Sequence, residues 1–129
     1  MSLGIDNHFV DWSNFFQGKM PTILHFSMFH STMLNMSSPE QWAKWGEKIK
    51  KHKILGCYAQ TELGHGSNVM GLETTATFDP KTDEIVIHSP TITSTKYWPG
   101  EMANSASHAV VFARLLVNGN DYSVQPFIV

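Results

Sequence analysis

Cysteine is nearly absent from this sequence. Cys57 is the only one, which excludes a disulfide framework and fits a reducing compartment. Charge is scarce as well: charged residues make up 16% of the chain, and the net charge is -2 with the seven histidines neutral. No basic stripe exists, so neither nucleic acid nor an anionic membrane is indicated as a partner. No apolar run reaches transmembrane length, and no charged-then-apolar signal segment opens the chain. Internal repeats and low-complexity linkers are missing too. The one local excess of like charge, Lys48, Lys50, Lys51 and Lys53, reads as a solvated helix end. Asn35-Met36-Ser37 matches a glycosylation sequon, but nothing else about the chain looks secreted.

What remains is an ordinary globular composition. With 129 residues, 42% of them apolar, the chain has room for one domain and one sizeable core. Cys57 sits inside an apolar run and reads as a packed thiol. The end of the chain, Pro126-Phe127-Ile128-Val129, is an apolar strand with no polar tail after it, so a piece of something longer is expected.

The first half carries helical periodicity. Phe9, Trp12, Phe15 and Phe16 recur at roughly helical spacing until Gly18. Pro21 suits the first turn of a helix running to about Met36, apolar on most of its circumference and hence buried on several sides. His25 and His30 on it lie five apart with no carboxylate beside them, a poor metal pair, so they read as structural or surface histidines. Ser38 reads as an N-cap, with Pro39 at N1 and Gln41 completing a capping box. Trp42, Trp45 and Ile49 mark the inward face of that helix.

After Lys53 the period changes to two. Ile54 to Gln60 reads as a strand. Leu72 to Phe78 alternates, with Leu72, Thr74, Ala76 and Phe78 on one face. Asp79 to Asp83 is turn chemistry and Glu84 to His88 the returning strand. Thr91 to Tyr97 is β-branched and reads as extended. His108 to Val117 and Tyr122 to Val129 flank Asn118-Gly119, the strongest hairpin signal in the chain. The expected class is α+β: the end of a helical domain (1–53) followed by an antiparallel, barrel-like β-domain (54–129).

Three places carry possible chemistry. Between Thr61 and Asn68, Gly64 and Gly66 free the backbone, and the Thr61 and Ser67 hydroxyls flank them. Such a loop suits a flavin edge or a phosphate, or is simply a turn. A dinucleotide fingerprint or phosphate loop is excluded, because a strand rather than a helix follows. Glu62 and His65 are close enough in sequence to meet, but no nucleophile stands beside them, and a structural carboxylate is the plainer reading. Trp98-Pro99-Gly100 is a rigid aromatic turn, either a barrel corner or a flat wall beside an aromatic ligand. Lys96 either meets a phosphate or, more commonly for lysine, faces water.

Taken together, Gly56-Cys57-Tyr58-Ala59-Gln60-Thr61-Glu62-Leu63-Gly64-His65-Gly66-Ser67-Asn68, then Gly71-Leu72-Glu73-Thr74-Thr75-Ala76, then Trp98-Pro99-Gly100 resemble the peroxisomal acyl-CoA oxidases. The resemblance runs from about Pro21 to Val129. The wider acyl-CoA dehydrogenases carry a shorter Thr-Glu-Pro form of the loop; here Leu63 replaces the proline and His65 is present, which favours the oxidase branch. The resemblance implies an N-terminal helical domain, a central β-domain and C-terminal helical bundles, with FAD between the last two in a homodimer. It implies oxidation of acyl-CoA to the trans-2-enoyl-CoA, with electrons returned to oxygen as hydrogen peroxide. By position it implies that Thr61 and Gly100 contact the flavin and that Ser67 lies near acyl-CoA. The segment Lys96 to Trp98 departs from the dehydrogenases' wall, so the side chain that covers the flavin is left unassigned.

The catalytic base of that family is a glutamate in the C-terminal helical domain, past Val129. The adenine-side FAD contacts and most of the dimer interface lie there too. No catalytic residue is therefore expected in this chain, and it is expected to be inactive alone. α,β-Dehydrogenation needs a base within reach of the α-proton and a flavin opposite it. A β-domain without its partner helices is also expected to expose apolar surface and an unpaired edge strand. Three rivals stand beside the enzyme: a non-enzymatic interaction protein derived from an oxidase, an acyl-CoA dehydrogenase, and a barrel that binds a lipid.

Overall fold

Ser38 opens the best-defined helix. In the computed structural model, which describes residues 22–102 and 104–129, α2 spans Pro39–Lys50. The Ser38 hydroxyl accepts from the Gln41 backbone amide at 3.2 Å, and the Gln41 side-chain Oε1 accepts from the Ser38 backbone amide at 2.9 Å. Both halves of the expected capping box are thus present. Lys48 and Lys50 occupy the last turn of α2, where cations suit the helix dipole. Gly46 and Ile49 are buried, and Trp42 and Trp45 pack partly buried against the core.

The preceding helix departs from the regular pattern. A π-helical segment, His25–His30, runs directly into α1, Ser31–Met36. Its wide turn buries both His25 and Phe29, whose rings stack at 5.6 Å and 24°. π-Turns are rare insertions that re-aim side chains; here the result is a histidine driven inward. The aromatic pattern at Phe9 to Phe16 and the expected start at Pro21 lie outside the described residues.

His25 ties three elements together. Its Nδ1 accepts from the Gly56 amide at 3.0 Å, and Nε2 lies 3.4 Å from the Ile49 carbonyl. Only a neutral ring protonated on Nε2 satisfies both partners. Burial pushes the His25 imidazole below its ordinary value, the Ile49 carbonyl pulls the other way, and His52 and His30 lower it further. A base depressed in the fold binds fewer protons there than in the unfolded chain. Stability is therefore complete above the ordinary value of 6.5 and is lost as pH falls through the lowered folded value. His30, lowered by burial and then by Lys50, adds to the same limb. Urea midpoints should fall as pH drops below 6.5, and His25→Gln, which keeps an acceptor for Gly56 but cannot titrate, should flatten that limb. An unchanged limb would remove His25 as its cause.

The strands are β1 (Gly56–Ala59), β2 (Thr75–Asp79), β3 (Glu84–His88), β4 (His108–Val117) and β5 (Asn120–Ile128). Leu72, Thr74 and Ala76 are buried, as the alternation predicts. Asn118 and Gly119 both take positive φ, +51° and +78°, and join β4 to β5 in the expected hairpin. The sheet order is β1-β4-β2-β3, with β5 on the other edge of β4. The α+β class stands, but the sheet is mixed where an antiparallel one is expected. β1 and β2 both run parallel to β4, because long crossovers rather than tight turns connect them to it. Thr91 to Tyr97 is not a strand. Its hydroxyls fold it into a turn: the Thr91 amide donates to Ser94 Oγ at 3.0 Å and the Ser94 amide to Thr91 Oγ1 at 3.1 Å.

One edge of β4 is taken by β5, so β1 and β2 lie end to end along the other. β1 pairs up to Ala59–Val111, and β2 resumes at Thr75–Arg114. The chain between, 60–74, loops out of the sheet at this seam. The core sits beside it, where Phe29, Met33 and Ile49 from the helices meet Ile54, Leu72, Val110 and Phe112. Cys57 is 1% exposed, and burial pushes its thiol up, the inert packed thiol the apolar run predicts. No helix among the described residues is long and apolar enough to cross a membrane.

Candidate functional site

The seam loop is held from within by a buried ion pair. The Glu62 carboxylate accepts from the amides of Glu73 and Thr74 at 2.8 and 2.9 Å and from Thr74 Oγ1 at 2.5 Å. Lys96 Nζ completes it at 3.1 Å, with side-chain exposures of 11% for Lys96 and 0% for Glu62. Burial pushes the Glu62 carboxyl up, but the Glu73 amide, the Thr74 donors and Lys96 outweigh it, so the group sits below the usual range. Burial lowers the Lys96 ammonium, opposed by Glu62. The Glu62 reading as a structural carboxylate is met, while the expectation that Lys96 faces water or a phosphate is corrected. The remaining Lys96 donors go to the carbonyls of Gln60 at 3.0 Å and Phe112 at 2.6 Å. Phe112 lies in the interval of β4 between its β1 and β2 partners, so the ammonium substitutes for a ladder bond.

His65 and Glu62 exchange two backbone hydrogen bonds at 3.1 and 3.2 Å, but the His65 imidazole meets Glu73 rather than the Glu62 carboxylate, with Nε2 at 2.8 Å from Oε1. Glu73 also accepts from Thr91 Oγ1 and, at 2.8 Å, from Thr93 Oγ1. Thr91 first, then His65 and Thr93, hold its carboxyl down at about 2. It therefore remains a carboxylate throughout the neutral range and staples the loop tip to the Thr91–Thr93 turn. The strand alternation places Glu73 on an outward face and misses this cluster. The available signal is four hydrogen-bonding side chains, His65, Glu73, Thr91 and Thr93, bracketing two turns.

These staples align two distant stretches. The amides of Leu63 and Gly64 donate to Thr95 and Thr93 carbonyls at 3.0 and 2.9 Å, and the Tyr97 amide donates to the Thr61 carbonyl at 2.9 Å. One step along, the Tyr58 amide donates to Pro99 at 3.3 Å. Thr61 and the Trp98-Pro99-Gly100 turn are thus brought side by side. Thr61 is half-buried, and its hydroxyl has no partner among the described residues. Ser67 is exposed farther out on the loop, and no described contact joins it to Thr61 or Gly100.

The aromatic turn is strained and open. Trp98 takes φ +44°, Gly100 φ +64° and Glu101 φ +54°. A positive φ costs a tryptophan of order 1 kcal/mol or more, yet Trp98 is 75% exposed and gains little burial in return. Its ring stacks on Tyr97 at 5.6 Å and 25°, forming an exposed aromatic ledge. The Gly100 φ of +64° favours glycine, and a Cβ there would lie 1.9 Å from Leu24 Cδ1, the movable end of that side chain. Across the loop, a Cβ on Gly66 would meet nothing within 4 Å, so that backbone faces open space.

Residues 3–55 match the family described as acyl-coenzyme A oxidase N-terminal. The chain is similar to peroxisomal acyl-coenzyme A oxidase 1 of Arabidopsis thaliana, 58% identical over 106 residues that cover 82% of this chain and 16% of that protein. Among solved structures it is similar to Arabidopsis thaliana acyl-CoA oxidase 1, with a TM-score of 0.92, 50% identity, and coverage of 96% of this chain and 19% of that one. It is also similar to acyl-CoA oxidase-1 of Caenorhabditis elegans complexed with FAD and ATP, with a TM-score of 0.81, 44% identity, and coverage of 84% and 17%. The chain spans about a sixth of the length of the curated relatives it matches, 16%. The identity extends across both the helices and the glycine loop, and on it the chain belongs to the acyl-CoA oxidase family.

Proposed function

We propose that this chain forms one wall of the flavin site of a peroxisomal acyl-CoA oxidase, which converts acyl-CoA and O2 to trans-2-enoyl-CoA and H2O2 in fatty acid β-oxidation. Residues 1–53 then belong to the N-terminal helical domain and residues 54–129 to the flavin-facing β-domain. Thr61 and Gly100 hold FAD, Ser67 lies toward acyl-CoA, and the complete enzyme is a homodimer. The observation that carries the reading is the backbone pairing that sets Thr61 against Tyr97 beside the strained Trp98 ledge.

The residues present fit the cofactor. The Thr61 hydroxyl is a donor without a described protein partner, the Gly66 backbone is open, and the Tyr97–Trp98 stack offers a planar apolar surface. FAD, when bound, supplies the acceptor for the hydride leaving the acyl chain. What the chain's own residues do is bind and orient. Lys96 and Glu62 fix the depth of the loop, Glu73 and His65 fix its tip, and the aromatic ledge excludes water from one face. The family's names favour an oxidase over a dehydrogenase, since the matched proteins above are oxidases.

Two measurements test this. The chain mixed with FAD and acyl-CoA should yield no hydrogen peroxide above buffer, because the two described carboxylates of the loop, Glu62 and Glu73, are both engaged by protein donors; turnover would overturn that part. In the complete oxidase carrying this segment, Thr61→Val should weaken FAD retention about fivefold, the value of one neutral hydrogen bond of ~1 kcal/mol. Unchanged retention would remove Thr61 from the site.

A further inference from the structure

The two carboxylates of the glycine loop are turned different ways. Glu62 closes the base of the loop, accepting from the amides of Glu73 and Thr74 at 2.8 and 2.9 Å. Glu73 turns to the tip instead, where it meets His65 Nε2 at 2.8 Å and accepts from Thr93 Oγ1 at 2.8 Å and from Thr91 Oγ1. Past these clamps, Gly66, Ser67, Asn68, Val69 and Met70 are all exposed. The backbone bonds within this arc are those of tight turns: the Val69 amide donates to the Ser67 carbonyl and the Gly71 amide to the Asn68 carbonyl, both at 3.0 Å. An exposed arc with little burial lies at the low end of local stability, so its course depends on how its ends are fixed.

One end is fixed by the His65–Glu73 pair. The other is fixed by Arg114 on β4. The Arg114 amide donates to the Thr74 carbonyl at 2.8 Å, its Nη1 is held by Asp121 at 2.8 Å, and its Nη2 donates to the Met70 carbonyl. The planar guanidinium fork, once oriented by Asp121, loses little freedom in making the second bond. Thr61 is supported by a different set of groups. Its carbonyl takes the Tyr97 amide, and Lys96 bonds the residues on both sides of it, through the Gln60 carbonyl and the Glu62 carboxylate.

We propose that Glu73 and Arg114 are positioning residues for acyl-CoA: they fix the arc 66–70 that carries Ser67, separately from the groups that place Thr61 for FAD. The proposal rests on the flavin-wall reading above and divides that wall into a cofactor end and a substrate end with their own supports. Each residue acts through the arc rather than by touching acyl-CoA. An arc held in advance does not have to be ordered when acyl-CoA arrives, so the anchors contribute affinity through preorganisation.

The test uses the complete oxidase carrying this segment, loaded with FAD. Titration of trans-2-enoyl-CoA against the flavin absorbance reads the substrate end, and FAD retention reads the cofactor end. Glu73→Ala and Arg114→Met should each raise the Kd of the enoyl-CoA roughly tenfold, the scale of one lost charge-assisted hydrogen bond, with FAD retention unchanged. Ser67→Ala should add little to Glu73→Ala, because an arc already displaced no longer presents the hydroxyl, and coupled positions are non-additive. Unchanged enoyl-CoA affinity in either anchor variant, a loss of FAD as large as the loss of enoyl-CoA, or full additivity with Ser67→Ala would each overturn the proposal. Thr61→Val, measured alongside, distinguishes the failure of the underlying reading. Unchanged FAD retention in that variant removes the flavin-wall reading, whereas weakened retention with unaltered enoyl-CoA affinity in the anchor variants removes this inference alone.

Discussion

Lys96→Met should destabilise the chain by about 3–5 kcal/mol, the usual cost of removing one partner from a buried ion pair. Three losses coincide. The Glu62 carboxylate, with its side chain 0% exposed, keeps its amide and hydroxyl donors but loses the cation paired with it among the described residues. The Gln60 and Phe112 carbonyls lose the donor that serves them at the seam. The β1 and β2 segments lose the group that bridges their gap along β4. The variant carries its own signature. With the ammonium gone, one of the causes that hold the buried Glu62 carboxyl down is removed, so its folded-state pKa moves up from its lowered value in the parent chain. The folded variant then takes up its proton at a higher pH than the folded parent, and the deficit against the parent chain should shrink as pH falls toward the carboxylate range. Glu62→Gln/Lys96→Met, which buries no charge, should be milder than Lys96→Met alone. Urea unfolding across pH decides the matter. A cost below about 1 kcal/mol, or a deficit that does not change with pH, would mean that the seam is held by the backbone alone.

Much of this arrangement can be read in the residues, and the part that cannot has a physical reason. The α2 cap, the Asn118-Gly119 hairpin and the burial of Leu72, Thr74 and Ala76 are local consequences of side-chain chemistry within a few positions. The glycine loop and the Trp-Pro-Gly turn are also legible as candidate site elements, since both announce unusual backbone. Their adjacency is not, because the bonds that join Thr61 to Tyr97 and Tyr58 to Pro99 connect stretches distant in the chain. Lys96 and Glu73 illustrate the same limit. Each looks like a surface charge on its own strand pattern, and each is placed by a partner from another element. The parallel pairing of β1 and β2 with β4 is likewise a property of crossovers, which periodicity does not report. The π-turn at His25–His30 escapes a helical reading because its first residue, His25, serves Gly56 on a different element.

Phe29 packs directly on Gly56 where the π-helical segment meets β1, and the second large effect is expected there. A Cβ built on Gly56 would lie 2.1 to 2.3 Å from three atoms of the Phe29 ring, a ring with no exposed surface. The clash is with the base of a buried aromatic ring rather than the free end of a flexible chain, so it cannot be relieved by a rotamer change. Gly56→Ala should therefore cost about 1–3 kcal/mol through overpacking. It should also displace the Gly56 amide from His25 Nδ1. Phe29→Ala should cost about 3–5 kcal/mol, by lost burial and the cavity left behind. The two are coupled in a way that separates this contact from general damage. Once the ring is gone, the methyl added at position 56 enters the space it occupied, so Gly56→Ala/Phe29→Ala should be less destabilised than the sum of the single variants, by about 1 kcal/mol or more. The cycle is read from urea midpoints at constant m-value. Strict additivity would show that the ring and the glycine backbone are not in the contact that joins β1 to the π-helical segment.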